Sequence, residues 1–253
     1  MPIQYLHSLT GTERSPRANR HLALVLAFIA GGTDAGGYLA IRQYTSHMSG
    51  IVSSMADNLA LGYIGLWLSG FSALLAFLIG ASCTAILVNW GRRRGLRSEY
   101  VFPLLLESLL LISFCLIGGS PGHPKWLFAS LITLLLCFTM GLQNAIITKI
   151  SHAEIRTTHM TGIVTDIGIE LGKLVYWNRY KDGMDRPPVV ADRQKLRLLL
   201  ALIGLFFFGG LIGAIGFRHM GFLFFLPLAA LLFVLAGVPA IDNLRTAQLN
   251  DWR

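Results

Sequence analysis

The chain has 253 residues, of which 54% are hydrophobic and 13% charged, against roughly 25% charged in a soluble domain. Apolar stretches near 20 residues recur, the length that crosses ~30 Å of hydrocarbon at ~1.5 Å per residue, so a water-soluble globular protein is excluded. The net charge of +8 does not point to DNA or RNA, because eighteen of the 21 Lys and Arg gather in the termini and even-numbered loops of a six-span reading.

Those spans are expected at about 22–41, 63–89, 101–118, 126–148, 197–217 and 221–241. Only Arg42, Lys125 and Arg218 fall on the opposite side. The asymmetry puts both termini in the cytoplasm by the positive-inside rule and offers contacts to anionic lipid. Residues 1–21 are polar, carry Gly11 and Pro16, and read as a loosely ordered cytoplasmic arm. Arg20 followed by an apolar run to Gly32 resembles a signal peptide in outline, but apolar character resumes to Ile41, so cleavage is not expected.

The first span carries Gly31-Gly32 and Gly36-Gly37 around Asp34 and is expected to be interrupted there. After a polar stretch comes His47-Met48-Ser49-Gly50-Ile51-Val52, which returns 112 residues later as His159-Met160-Thr161-Gly162-Ile163-Val164. Upstream, Asp34 aligns with Asn144 at an offset of 110, so the halves match with a two-residue gap. Ser49 and Thr161 read as N-caps of short non-spanning helices, the first closed by Gly62 and the second reaching about Leu174. The chain thus divides into repeat one at 22–118 and repeat two at 126–241, with a cytoplasmic linker at 176–195 and a tail at 242–253. Three spans separate the repeats, an odd number, so the second copy is inverted. This all-α arrangement of two inverted three-helix repeats suits alternating access.

The motifs together resemble the YoaK-like family of bacterial inner-membrane proteins: Gly-Gly-x-Asp-Ala at 31–35, a Met-Ser/Thr-Gly box after it, Gly-Leu-Gln-Asn-Ala at 141–145, and a second box. The similarity runs over about 22–241. Family members usually carry Met-Thr-Gly-Asn at the first box, where Met48-Ser49-Gly50-Ile51 stands here. The resemblance implies a polytopic membrane fold and a permease label, and brings no substrate.

Asp34 is the strongest candidate for chemistry, since a carboxylate within a span usually faces a cavity or partner. It reads as a solute-binding or proton-coupling group, or alternatively as the cap of a half-helix. Asn144 supplies the same oxygen without charge, with Gln143 beside it. Tyr38, His47, Ser49, His159 and Thr161 complete the expected solute site, and Glu107 is a second candidate for proton coupling. The histidines have no second ligand at metal spacing, so no metal is assigned, and nothing implies a cofactor. Asp166 and Glu170 share a face of the second short helix and are expected in water, as is Asp57. Gly209, Gly210, Gly213 and Gly216 form a small-residue strip that reads as internal packing and leaves a homodimer open. Cys83, Cys115 and Cys137 lie inside apolar spans and read as buried apolar residues. No Ser–Lys, HExxH or paired-Asp signature occurs in the spans, so an enzyme is not expected. The leading reading is an inner-membrane permease for a small polar or anionic solute. A passive channel and a non-transporting sensor or assembly protein are the alternatives.

Overall fold

A computed structural model of the chain describes residues 16–96, 98–119, 125–150, 160–177 and 188–250. Among these, the elements in chain order are α1 (Pro16–Ile41), short α2 (Met48–Ala60), α3 (Ile64–Arg93), α4 (Val101–Gly119), α5 (Lys125–Ile150), short α6 (Met160–Val175), α7 (Arg193–Met220), a 3-10 turn (Gly221–Phe224) and α8 (Phe225–Asn250). Five helical stretches are long and apolar enough to cross a membrane: Asn19–Ile41, Ile64–Arg93, Val101–Gly118, Ala129–Lys149 and Arg193–Gly237.

The last of these is 45 residues long and holds two helices. Gly221 adopts φ 57 and ψ −138, a conformation that favours glycine, and the chain reverses there. The directions of packing show the reversal. α7 runs parallel to α1, with Phe28 against Gly209 and Gly32 against Gly213, whereas α8 runs antiparallel to it, with Gly36 against Phe225 and Gly32 against Leu228.

The expected break in the first span is not present. α1 is continuous through Gly31, Gly32, Gly36 and Gly37, and α5 is continuous through Gly141. These glycines serve close packing, which a sequence pattern of small residues cannot distinguish from unwinding. At the α1–α7 crossing, a Cβ on Gly31 would land on the carbonyl oxygen of Phe206, and one on Gly209 would land on that of Phe28. At the α3–α5 crossing, a Cβ on Gly141 would land on the carbonyl oxygen of Phe77, and one on Gly80 on that of Phe138. Backbones this close gain dispersion contact over a long seam, the means by which helices associate in lipid.

The two crossings match residue by residue. Phe28, Gly31 and Asp34 map onto Phe138, Gly141 and Asn144 at the offset of 110, while Phe77 and Gly80 map onto Phe206 and Gly209 at an offset of 129. One turn on, Gly213 packs against the Gly32 carbonyl, and its counterpart Thr84 donates a 2.9 Å hydrogen bond to the Leu142 carbonyl. The glycine strip of α7 is therefore internal packing, as its spacing suggested. The remaining helices, α4 and α8, pair with each other: Ser108 donates to the Ala229 carbonyl at 2.8 Å, and Phe114 meets Phe222 and Phe225 edge-on.

Each crossing carries one short helix. Ile51 of α2 packs with Ala73 of α3 and Cys137 of α5, and Ile163 of α6 packs with Ala23, Ala27, Leu199 and Leu202 of α1 and α7. The molecule is thus organised as two units, α1–α6–α7 and α2–α3–α5, each drawing its helices from both halves of the sequence.

Candidate solute cavity

A cavity of about 880 Å3 lies between these two units. Asp34, Phe206, Met160 and Thr161 line it from one unit. Phe77, Ala81, Asn144, Thr148, Lys149, Met48 and Ser49 line it from the other, and Tyr44, Ser46 and His47 close it beside the start of α2. Asp34, Asn144, His47, Ser49 and Thr161, expected from the sequence as parts of one site, therefore share a single wall system.

The helices α1 and α5 run antiparallel, because Gln143 donates to the Leu26 carbonyl at 3.2 Å while Gly37 packs on Leu136. Asp34 is consequently level with Cys137, which lies within electrostatic reach of it. Asn144 is seven residues further along α5, roughly 10 Å along the axis at ~1.5 Å per residue. Phe77 and Phe206, whose carbonyls seat Gly141 and Gly31, occupy the level midway between. The cavity thus has an aromatic pair at its centre, Asp34 to one side and Asn144 to the other.

Asp34 is buried, with its carboxylate facing the Thr45–Ser46 turn, where the Ser46 hydroxyl and the backbone N–H groups of Ser46 and Thr45 donate to it. Its Oδ1 has no hydrogen-bond partner. The turn is placed by the end of α1, where Arg42 takes φ 59 and its N–H bonds the Tyr38 carbonyl at 2.7 Å. His47 then occupies the N-cap position of α2 with no side-chain capping bond. Its ring lies over the first turn, so that a Cβ on Gly50 would meet Nδ1 at 2.9 Å. Gly50 thus makes room for His47.

Several expected roles are placed differently. Ser49 and Thr161 are not N-caps; each is the second residue of its helix, and the cap of α2 falls two positions before Ser49, at His47. His159 itself lies outside the described residues. Tyr38 stacks on Tyr44 with ring centroids 4.5 Å apart and borders a second, smaller cavity of about 380 Å3. Gln143 is fully buried and joins α5 to α1 instead of lining the cavity. Glu107 is buried in α4, away from the cavity, with Oε2 lacking a partner. Glu170 is not in water: it is buried, accepts from Lys173 Nζ at 2.8 Å and from the Asp192 backbone N–H at 2.8 Å. Those two bonds, the lysine first, hold its carboxyl below the usual glutamate range. Asp166 pairs with Lys195 at 3.2 Å, and Asp57 is exposed.

Sequence reasoning passed over Ser46, Phe77, Phe206 and Lys149. Signals existed for the first three. Thr45-Ser46 and Thr157-Thr158 extend the repeat upstream, and Phe77 and Phe206 each stand three residues before a glycine that has a repeat counterpart.

The model of the family described as protein of unknown function (DUF1275) matches residues 22–238. The chain belongs to this family. It is 30% identical over 225 residues to the UPF0700 transmembrane protein RA0705 of Rhizobium meliloti, covering 87% of this chain and 88% of that one. It is 21% identical over 184 residues to the UPF0700 transmembrane protein YoaK of Bacillus subtilis, covering 72% and 79%. No solved structure matches it. The family, the relatives and the apolar helices together make it a polytopic transmembrane protein, in agreement with the YoaK-like resemblance of its motifs.

Proposed function

We propose that the chain is a bacterial inner-membrane permease that moves a small polar solute through the central cavity by alternating access. Its six crossings are two inverted three-helix repeats, with both termini in the cytoplasm. Solute binds between Asp34 and Asn144, and Asp34 also carries a coupling proton when solute is absent. The observation behind this reading is that the duplicated elements converge: Asp34 and its counterpart Asn144, Phe77 and Phe206, and the first turns of both short helices line one cavity. The cavity separates two units, each held together by backbone-to-backbone crossings, an arrangement suited to rocking of one unit against the other.

The test is counterflow in proteoliposomes preloaded with a bacterial metabolite extract, with exchanged solutes identified by mass spectrometry. The expected result is saturable exchange of one solute class by the native chain and its loss when Asp34→Asn and Asn144→Ala are combined. Unchanged exchange in that variant would remove the proposed site.

A further inference from the structure

The lining of the cavity is two-fold in its shape and one-fold in its charge. Met48 and Met160, Ser49 and Thr161, and Phe77 and Phe206 are repeat-related pairs, each present on both sides. Asp34 is matched by the neutral Asn144, and it is the one acidic residue among the described residues lining the cavity. Its Oδ1 is buried and without a hydrogen-bond partner, while the Thr45–Ser46 turn already supplies donors to the carboxylate. A buried acceptor left in this state is costly, and a bound donor relieves that cost.

Lys149 cannot be that donor. It lies twelve residues beyond the level of Asp34 on α5, about 18 Å along the axis, at the far rim of the cavity. His47 lines the cavity beside the start of α2 and lies within electrostatic reach of Asp34, yet Oδ1 has no hydrogen-bond partner, so a solute can supply the donor. Phe77, Phe206, Met48 and Met160 line the same cavity as Asp34, and the Phe77 and Phe206 carbonyls seat Gly141 and Gly31 at the level between Asp34 and Asn144. Aromatic faces and methionine sulfur accept an apolar or flat body, and aromatic faces attract a cation held over them.

We propose that the transported solute is an organic amine, whose ammonium group donates to Asp34 Oδ1 while its apolar or aromatic body lies between Phe77 and Phe206. Asn144, roughly 10 Å from Asp34 along the axis, reads a neutral polar group at the other end. This rests on the permease reading for its transport step, but the binding step stands alone and is tested alone.

The experiment measures binding to the full chain in lipid nanodiscs by thermal stabilisation and isothermal calorimetry. The probes are matched sets that share a body and differ in the head: phenethylamine, phenethyl alcohol and 3-phenylpropionate, with the corresponding hexyl series. The amines should bind at least about tenfold more tightly than the alcohols or the carboxylates, the ratio expected when an analogue leaves a buried group unpaired. Asp34→Asn should erase the preference, and Asp34→Glu should restore part of it, which shows that a folded site remains. Phe77→Ala combined with Phe206→Ala should weaken phenethylamine more than hexylamine. Equal binding of alcohols, preference for carboxylates, binding of none of the probes, or amine binding that survives Asp34→Asn would each overturn the proposal. Counterflow of labelled phenethylamine separates the two claims. Binding without counterflow defeats the permease reading and leaves the amine site, whereas counterflow of uncharged or anionic solutes alone defeats the amine class and leaves the permease.

Discussion

The two short helices occupy related places in the fold and are held there by different chemistry. α2 docks on α3 through Ile51 and Met55 against Ala73 and Gly70, and among the described residues its polar side carries a neutral Asn58 to Ser54 hydrogen bond and no ion pair. α6 docks on α7 through Ile163 and Ile167, then through the Asp166–Lys195 ion pair and through Glu170, which pairs with Lys173 of its own helix and accepts from the N–H of Asp192, the cap of α7. At the 112-residue offset Asp166 and Glu170 stand where Ser54 and Asn58 stand in the first copy, so the same two positions carry a charged latch in one copy and neutral residues in the other. By contrast, the helix crossings beneath them are nearly unchanged. The backbone seams, where any side chain is excluded, are alike in the two crossings, and the difference lies at the surface, where a charge can find a partner.

The crossings should therefore respond alike and strongly to perturbation. Gly31→Val and Gly141→Val both force side-chain atoms onto a carbonyl oxygen, and overpacking of this kind costs about 1–3 kcal/mol or more. Both variants should lose most of their monodisperse, heat-stable fraction in nanodiscs, and by similar amounts. A large difference between them would break the equivalence of the two seams.

The short helices should respond differently. Glu170→Gln removes the acceptor for Lys173 and leaves the Asp192 N–H with a weaker partner, so α6 should exchange its amide hydrogens faster by mass spectrometry. Asn58→Ala should leave α2 nearly as protected as before. Acid sharpens the contrast. Because the folded-state pKa of Glu170 is depressed, its contribution is present above its ordinary value of 4.5 and is lost as the pH falls through the lower folded value. Asp192, which caps α7 by accepting from the N–H groups of Lys195 and Gln194, is depressed by the same kind of contact and adds to the effect. Protection of α6, measured relative to the intrinsic exchange rate at each pH, should therefore fall between pH 5 and about pH 3, while that of α2 changes little. Equal acid sensitivity of both helices would show that the ion pairs do not hold α6.

Smallest of all should be Thr84→Val. It deletes the bond to the Leu142 carbonyl that the α1–α7 crossing, with Gly213 at the related position, does without. Interhelical side-chain bonds in membranes average about 0.6 kcal/mol, so the unfolding midpoint should fall only slightly. A loss as large as that of Gly31→Val would mean that the α3–α5 seam depends on its hydroxyl more than on its close backbones.

Much of this architecture can be read from residues whose meaning is local. Gly62, at φ 78, closes α2 where a turn glycine was expected, and the repeated His-Met-Ser/Thr-Gly box marks where both short helices begin. The alignment of Asp34 with Asn144 anticipates that both face one cavity. What cannot be read this way depends on a partner distant in sequence. Four glycines in α1 look like a break until the α7 and α8 surfaces that fill them are known. Glu170 looks solvated by helical periodicity, because its partner, the Asp192 N–H, lies across the 178–187 segment. Tyr38 is on the same helix as Asp34 and only one turn away, yet it stacks on Tyr44 instead of turning to the cavity.

Alternating access through this cavity requires that the two boxes open it from opposite sides of the membrane. Single cysteines at Ser49 and Thr161, in a background with Cys83, Cys115 and Cys137 replaced by alanine, can be challenged with a membrane-impermeant maleimide in intact cells and in inverted vesicles. Inverted repeats predict that Ser49→Cys is labelled from the periplasmic side, Thr161→Cys from the cytoplasmic side, and that phenethylamine slows both. Labelling of both cysteines from the same side would contradict the inverted arrangement and, with it, alternating access through this cavity.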